Sequence, residues 1–371
     1  MKRIYIYQKE GWPNFVWDYD LVSPLLLNIR YLQGQLIGKM SVFGFDFKNE
    51  THFSTLTNNI IKSSEIEGEY LNTDQVRSSV AKRLSMDVSG FIASERKVDA
   101  IVEITFDATN NASKALTKKR LFGWHKLLFE QEERDTKLSI GSFRKEEGGE
   151  MQVVSGALGK EKVHFQAPNW SVIDAEMDKF LNFINSKNDI DNILKAAIAH
   201  FWFVTIHPFD DGNGRISRAI ADMLLARADN IPQRFYSMSS QIRIERKEYY
   251  NILEKTQKGD LDITNWIVWF LNCLERVFNQ TDTNLNKLMF KSKFWENHKE
   301  VVFNERQTKM INLLFNDFDG KLTTSKWAKI NKCSQDTALR DIKDLIEKSV
   351  LRKELEGGRS TNYELNALLL L

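Results

Sequence analysis

The run His207-Pro208-Phe209-Asp210-Asp211-Gly212-Asn213-Gly214-Arg215 gathers a histidine, two carboxylates, two glycines and an arginine into one short stretch. Upstream of it, Ile190, Ile193, Leu194, Ala197, Phe201 and Val204 recur at steps of mostly three and four residues, the period of a helix with an inward apolar stripe. Pro208 cannot donate a backbone hydrogen bond and pushes its predecessor out of the α region, so His207 is expected at a helix end. Downstream, Ile216, Ile220, Met223 and Leu224 restart the helical period. Residues 210–214 therefore connect two helices and open the second. Gly212 and Gly214 leave the backbone uncovered there, and N–H groups at a helix N-terminus with the dipole behind them form an anion site. Arg215 and Arg218 add two fixed positive charges. Asp211 supplies a hard oxygen ligand of the kind a largely hydrated magnesium ion takes when it bridges phosphate oxygens. His207 titrates near neutral pH and can accept a proton from a hydroxyl nucleophile. These parts imply phosphoryl or nucleotidyl transfer. The same spacing also fits a plain helix-to-helix turn with a core histidine. There is no GxxxxGK followed by Ser or Thr, and GNGRIS lacks the third glycine of a dinucleotide fingerprint.

The longer run from His207 to Arg218, HPFDDGNGRISR, resembles in full the HPFx(D/E)GNGRxxR signature of Fic-domain proteins. The resemblance implies a mainly α fold and transfer of AMP from ATP to a Tyr, Ser or Thr hydroxyl of a target protein. It makes His207 the general base and Asp211 the magnesium ligand. Asn213, the Gly212 and Gly214 backbone, Arg215, Ser217 and Arg218 would bind ATP, with Phe209 a core anchor.

The chain as a whole sets wider bounds. Its 371 residues suffice for two or three domains with sizeable cores. Cys273 and Cys333 are its only cysteines, which excludes a disulfide scaffold and fits a reducing compartment. A formal charge of +2 means that any nucleic-acid surface must be a local patch. MKRIYIYQKEGW holds no apolar run of signal-peptide length, and nothing approaches a membrane span, so a cytoplasmic location without membrane contact is expected.

An N-terminal helical region is expected over residues 1–95. Residues 1–17 suggest a short strand or extended arm, and Ser23 to Met40 a first packing helix. A second helix, about Ser54 to Glu69, lines up Leu56, Ile60, Ser63 and Glu67. A carboxylate on such a stripe needs a cationic partner or water. Ser63-Ser64-Glu65-Ile66-Glu67-Gly68 resembles the inhibitory motif of Fic proteins, here SxxxEG. That resemblance pairs Glu67 with Arg218 and sets its carboxylate in the space of the ATP γ-phosphate, an intramolecular brake in which Ser63 and Gly68 take part. Val76 to Ala93 reads as another helix and a loop.

Residues 96–278 are expected to form the Fic core. Leu116 to Glu130 is a core helix, with His125 packing rather than catalytic. Val153, Val154, Val163 and Phe165 flank turn formers and read as a β-hairpin. The 151–166 hairpin resembles the Fic flap, which pairs with an extended segment of the target protein. In that resemblance Val153, Val154, Ser155 and Gly156 lie at the nucleotide. Ser240 to Leu253 reads as one helix bearing Tyr249 and Tyr250. The family's tyrosine pair and a polar residue seven positions on line the adenine pocket. That residue is normally Asn and is Gln257 here, which keeps an amide able to donate and accept. Ile263 to Val277 closes the domain.

Residues 279–303 turn polar and read as a helical connector. The order of elements in residues 304–371 resembles a winged helix-turn-helix, a unit that binds DNA or serves as a protein-interaction module, with Gln335, Thr337, Arg340 and Lys343 on the recognition helix and Arg359 on the wing, residue types that can meet phosphates and base edges. The first expectation is thus an autoinhibited protein adenylyltransferase that uses ATP and Mg2+, acts on target proteins or on itself, and dimerises by analogy. Removal of AMP on the same scaffold, and an ATP-sensing DNA-binding regulator, are the alternatives.

Overall fold

The computed structural model describes residues 4–86, 90, 92–129, 138–146, 150–156, 162–231, 233–315, 318, 320–354 and 361–366. The chain divides into two units, Met1–Thr281 and Asp282–Leu371. In chain order the helices are α1 (Tyr19–Ser41), α2 (Phe45–Ile66), α3 (Thr73–Arg83), α4 (Arg96–Asn110) and α5 (Lys118–Phe129). The hairpin β1 (Gln152–Ser155) and β2 (Lys162–Gln166) follows, then α6 (Ile173–Asn185), α7 (Asn192–Ile206) and α8 (Asn213–Asp229). Next come α9 (Met238–Ile244), α10 (Arg246–Gln257) and α11 (Thr264–Asn297).

Several expectations need correcting. Among the described residues the N-terminal arm holds a 3-10 turn at Ile6–Gln8 and no strand, and Val16 makes a β-bridge to Asp262. Helix α1 starts four residues early because Asp18 caps it, accepting from the Asp20 and Leu21 N–H groups, and Pro24 is carried inside. Helix α2 begins after Gly44 and ends at Ile66, so Glu67 is its C-cap and not part of the helix. The single helix expected over 240–253 is two, broken at Glu245, whose carboxylate is held by Arg276 of α11 at 2.5 and 2.6 Å. Helices α4 and α6 have no counterpart among the expected elements.

Helix α7 is the middle of the first unit. It buries residues on every face, from Ile193 to Ile206, instead of one stripe, as a helix enclosed by others must. Helix α8 packs along it, and α2 and α4 pack on α8. Between α2 and α8 lies a buried polar layer: Asn59 donates to Asp222 at 2.8 Å, and Arg234 pairs with Asp229 at 2.7 Å and lies 3.6 Å from Asp222. Breaking one member would leave a buried charge unpaired, so this layer fixes α2 against α8.

The second unit builds its own core. Helices α12 (Glu305–Phe315), α13 (Thr324–Asn331) and α14 (Gln335–Glu347) are followed by β3 (Leu351–Lys353) and β4 (Tyr363–Leu365), paired antiparallel. Met310, Trp327, Ile342, Leu345, Leu351 and Tyr363 pack together at its centre. Arg359 lies outside the described residues.

Candidate active site

The site is built on the α7–α8 connection. Helix α7 closes with His207 in the left-handed region, φ 51°, its N–H donated to the Phe203 carbonyl at 2.9 Å. Phe209 then drives into the core, fully buried, and stacks on His125 at 4.2 Å between centroids. Asn213 staples the turn: its side chain accepts from the Phe209 N–H at 3.0 Å and donates to the Phe209 carbonyl at 2.8 Å. The Asn213 amide is thereby spent on shaping the loop. Gly212, at φ 79°, leads into α8, and a Cβ there would strike Phe129. No side chain caps α8 at Gly212, so its first-turn amides and dipole are available to an anion.

His207 is half-buried and its Nδ1 lies 3.2 Å from the Val204 carbonyl. A carbonyl only accepts, so Nδ1 carries the proton and Nε2 the lone pair. Burial, with Arg144 adding to it, lowers the His207 pKa to about 4, against the opposing pull of the Val204 bond, Glu67 and Asp211. The imidazole is therefore a neutral base at neutral pH. Arg144, itself buried, holds this end of the loop: its N–H donates to the Pro208 carbonyl and its Nε to the His207 carbonyl, at 2.9 and 2.8 Å.

The anion site is filled by the protein's own acid. The Glu67 carboxylate stands over Gly214, where any Cβ would collide with it, and takes Arg218 Nη1 at 2.8 Å. Arg218, 3% exposed, gives two further donors to Ser63: Nε to the hydroxyl and Nη2 to the carbonyl, both at 2.9 Å. Burial pushes the Glu67 pKa up, but Arg218, with Arg215 and Arg246, outweighs it and holds the group below the usual carboxylate range. Gly68, at φ 85°, ends α2 in a Schellman motif: its N–H donates to Glu65 at 3.1 Å and the Glu69 N–H to Ser64 at 3.0 Å. Arg215 pairs with Glu69 at 2.9 Å, lies 3.7 Å from Asp211 and stacks over Phe129. Ser217 is buried and donates to the Gly214 carbonyl at 2.8 Å. The Asp211 carboxylate is 62% exposed and accepts from the Gly212 N–H.

The expected adenine residues separate. Tyr250 reaches the site, its hydroxyl 3.4 Å from both Glu67 and the Ile66 carbonyl. Tyr249 is buried behind it on His200 at 2.8 Å, and Gln257 is buried against Thr205 at 3.4 Å. The hairpin packs through Phe165, set edge-on against Tyr5 at 5.1 Å and Tyr7 at 6.1 Å. Val153 packs with this cluster, Val154 points outward, and Ser155 meets His164 at 2.5 Å. His164 in turn pairs with Glu254 of α10 at 2.6 Å. The turn residues 157–161 lie outside the described residues.

The sequence reading gave no role to Glu69, Arg144, His164, Arg246 or Glu254. Only Glu69 carried a signal, a second carboxylate directly beyond Gly68. Arg246 donates to the Ile66 carbonyl at 2.6 Å, which holds the end of α2 from the α10 side. Among the described residues no group of three or more His, Cys, Asp or Glu side chains could hold a metal ion, and no helix is long and apolar enough to cross a membrane.

A mainly helical unit organised round this loop is the Fic fold, and the chain carries a Fic domain: residues 115–225 match the Fic/DOC family. Residues 5–86 match a domain of unknown function, DUF4172. Among curated relatives, the chain is similar to protein adenylyltransferase Fic of Aedes aegypti, 27% identical over 226 residues, 59% of this chain and 40% of the relative. The enzyme of the same name from Drosophila mojavensis is 28% identical over 235 residues, 62% of this chain and 41% of the relative. The chain thus spans about two fifths of the length of these relatives. In fold it is similar to a Fic family protein from Desulfovibrio desulfuricans G20, with a TM-score of 0.51 at 19% identity, covering 92% of this chain and 96% of that one. A Fic-1 structure from C. elegans gives 0.50 at 18% identity, covering 72% and 73%.

Proposed function

We propose that the chain transfers AMP from ATP to a hydroxyl side chain of a target protein, and that Glu67 holds this reaction off. One observation carries the reading: a carboxylate from α2 sits on Arg218, over Gly214, at the uncapped N-terminus of α8 and beside a neutral His207. A site that binds its own acid there is a site for phosphate. The relatives named protein adenylyltransferase Fic support the kind of phosphate transfer. In the reaction, His207 Nε2 takes the hydroxyl proton while that oxygen bonds to the α-phosphorus. The bond from the α-phosphorus to the bridging oxygen breaks and pyrophosphate leaves. The α8 amides and the two arginines would bear the phosphate charge. Asp211, exposed and single, fits a magnesium ion that keeps most of its water and binds with the nucleotide, and such an ion would neutralise phosphate charge. With Glu67 in place, the terminal phosphate meets like charge and loses Arg218 as a partner.

Incubating the Glu67→Gly protein with α- or γ-labelled ATP and cell lysate tests the reading. Label transferred from the α- but not the γ-position is expected. Label from the γ-position, or removal of AMP from a modified protein with no transfer, would overturn it. A winged-helix role for the second unit rests on Gln335, Arg340 and Lys343 being exposed along α14, while the Thr337 hydroxyl is drawn into the cap with Ser334 at 2.9 Å. Duplex DNA retention lost in Arg340→Ala is the matching test.

A further inference from the structure

The loop signature offers two arginines, and α2 ends in two acids. Glu67 and Glu69 flank Gly68, and the Schellman motif fixes their separation, because the Gly68 and Glu69 N–H groups are tied back to Glu65 and Ser64. Glu67 takes Arg218 and Glu69 takes Arg215, at 2.8 and 2.9 Å. Glu69 is itself held from the other side by Lys97, in the first turn of α4. Glu69 therefore joins the end of α2 to α8 and to α4 at once. Arg215 is in turn packed over Phe129, 11% exposed in its side chain. Past Ile66, Glu69 is the next side chain after Glu67 that grips the signature helix.

We propose that Glu69 is the positioning residue of the brake: bound between Arg215 and Lys97, it anchors the turn that keeps Glu67 over Gly214. This rests on the reading of Glu67 as inhibitory. A rotation of the turn about Gly68 would carry Glu67 off Arg218, and the Glu69 pairs oppose that rotation. Loss of the anchor frees the brake without touching it.

The test combines a mutant cycle with a readout independent of catalysis. AMP transfer is measured for wild type, Glu69→Ala, Glu69→Gln and Lys97→Gln, each also in the Glu67→Gly background, and amide hydrogen exchange is followed in all. Glu69→Ala is expected to raise wild-type transfer roughly two- to fivefold, the size set by a partly exposed ion pair. It should add little once Glu67 is gone. Glu69→Gln, which keeps an acceptor, and Lys97→Gln should fall between. Exchange should quicken at residues 64–70 and stay unchanged in α7. Equal exchange in wild type and Glu69→Ala would overturn the anchor, whether or not any transfer is detected. Equal activation in both backgrounds would overturn it too, because Glu69 would then act on the phosphates directly. Loss of transfer in both backgrounds would make Glu69 a support for Arg215 alone. Absence of transfer in Glu67→Gly counts against the proposed reaction, and the exchange result then decides the anchor by itself.

Discussion

The two sides of the His207 loop are held by different means. On the α2 side the contacts are charged and centre on a buried arginine: Arg218 is 3% exposed and makes three hydrogen bonds to Ser63 and to Glu67, whose own side chain is 31% exposed, backed by the buried Asn59–Asp222 bond. On the hairpin side the contacts are one aromatic, Phe165 against Tyr5 and Tyr7, and one half-buried pair, His164 with Glu254, whose side chains are 26% and 23% exposed. Only the arginine of that pair is buried, so an Arg218 left behind by Glu67 needs another anion. On the proposed reading the α2 side is a switch that exchanges one anion for another. A half-exposed hairpin yields at small cost, and it can adjust to an extended chain laid along it.

This contrast can be broken or sharpened by substitution. The largest effect is expected for His207→Ala, which removes the base: transfer should fall by roughly a hundredfold or more in the Glu67→Gly background, read as label on target protein. Glu67→Gly itself should raise transfer roughly tenfold or more, since an unopposed Arg218 then meets the terminal phosphate. If Glu67→Gly lost stability without gaining activity, α2 would be scaffold and the contrast would vanish. His164→Ala should act on the other side only, raising KM for the protein target a few-fold with KM for ATP unchanged. An equal change in both would mean that the hairpin also shapes the nucleotide site. A separate effect is on stability with pH. Burial lowers the pKa of His52 and His125 to about 4 and that of His200 to about 3. Unfolded histidines titrate near 6.5. Below that pH the unfolded chain binds protons that the folded one refuses, so stability is full above about 6.5 and falls as pH drops toward 4. Denaturation midpoints at pH 7 and pH 5 check the sign.

Legibility in the sequence tracked the range of the interactions. The α7–α8 connection, the Val153–Phe165 hairpin and the Glu67–Arg218 pair could be read because their signals are local or carried by a long motif. The end of α2 was set by Gly68, whose positive φ stops the helix at Ile66, three residues before the expected end at Glu69. Helix α4 was missed although Val98, Ile101, Val102 and Thr105 keep a helical period, because no flanking cap or motif drew attention to it. The break at Glu245 could not be read, since Arg276 is thirty-one residues away. Arg144 and His164 gain their places only from tertiary packing, Arg144 on the His207 carbonyl and His164 on Glu254. Tyr249 and Tyr250 read as one pair, yet adjacent residues on a helix face different ways, and only Tyr250 reaches Glu67.

The central claim is that Glu67 occupies the place of a nucleotide phosphate and so keeps His207 idle. The most direct measurement is the rate of label transfer from α-labelled ATP by wild type, Glu67→Gly and Glu67→Gly/His207→Ala, run side by side with magnesium. Strong transfer by Glu67→Gly, weak transfer by wild type and none by the double variant is the predicted result. Equal rates for wild type and Glu67→Gly would contradict it.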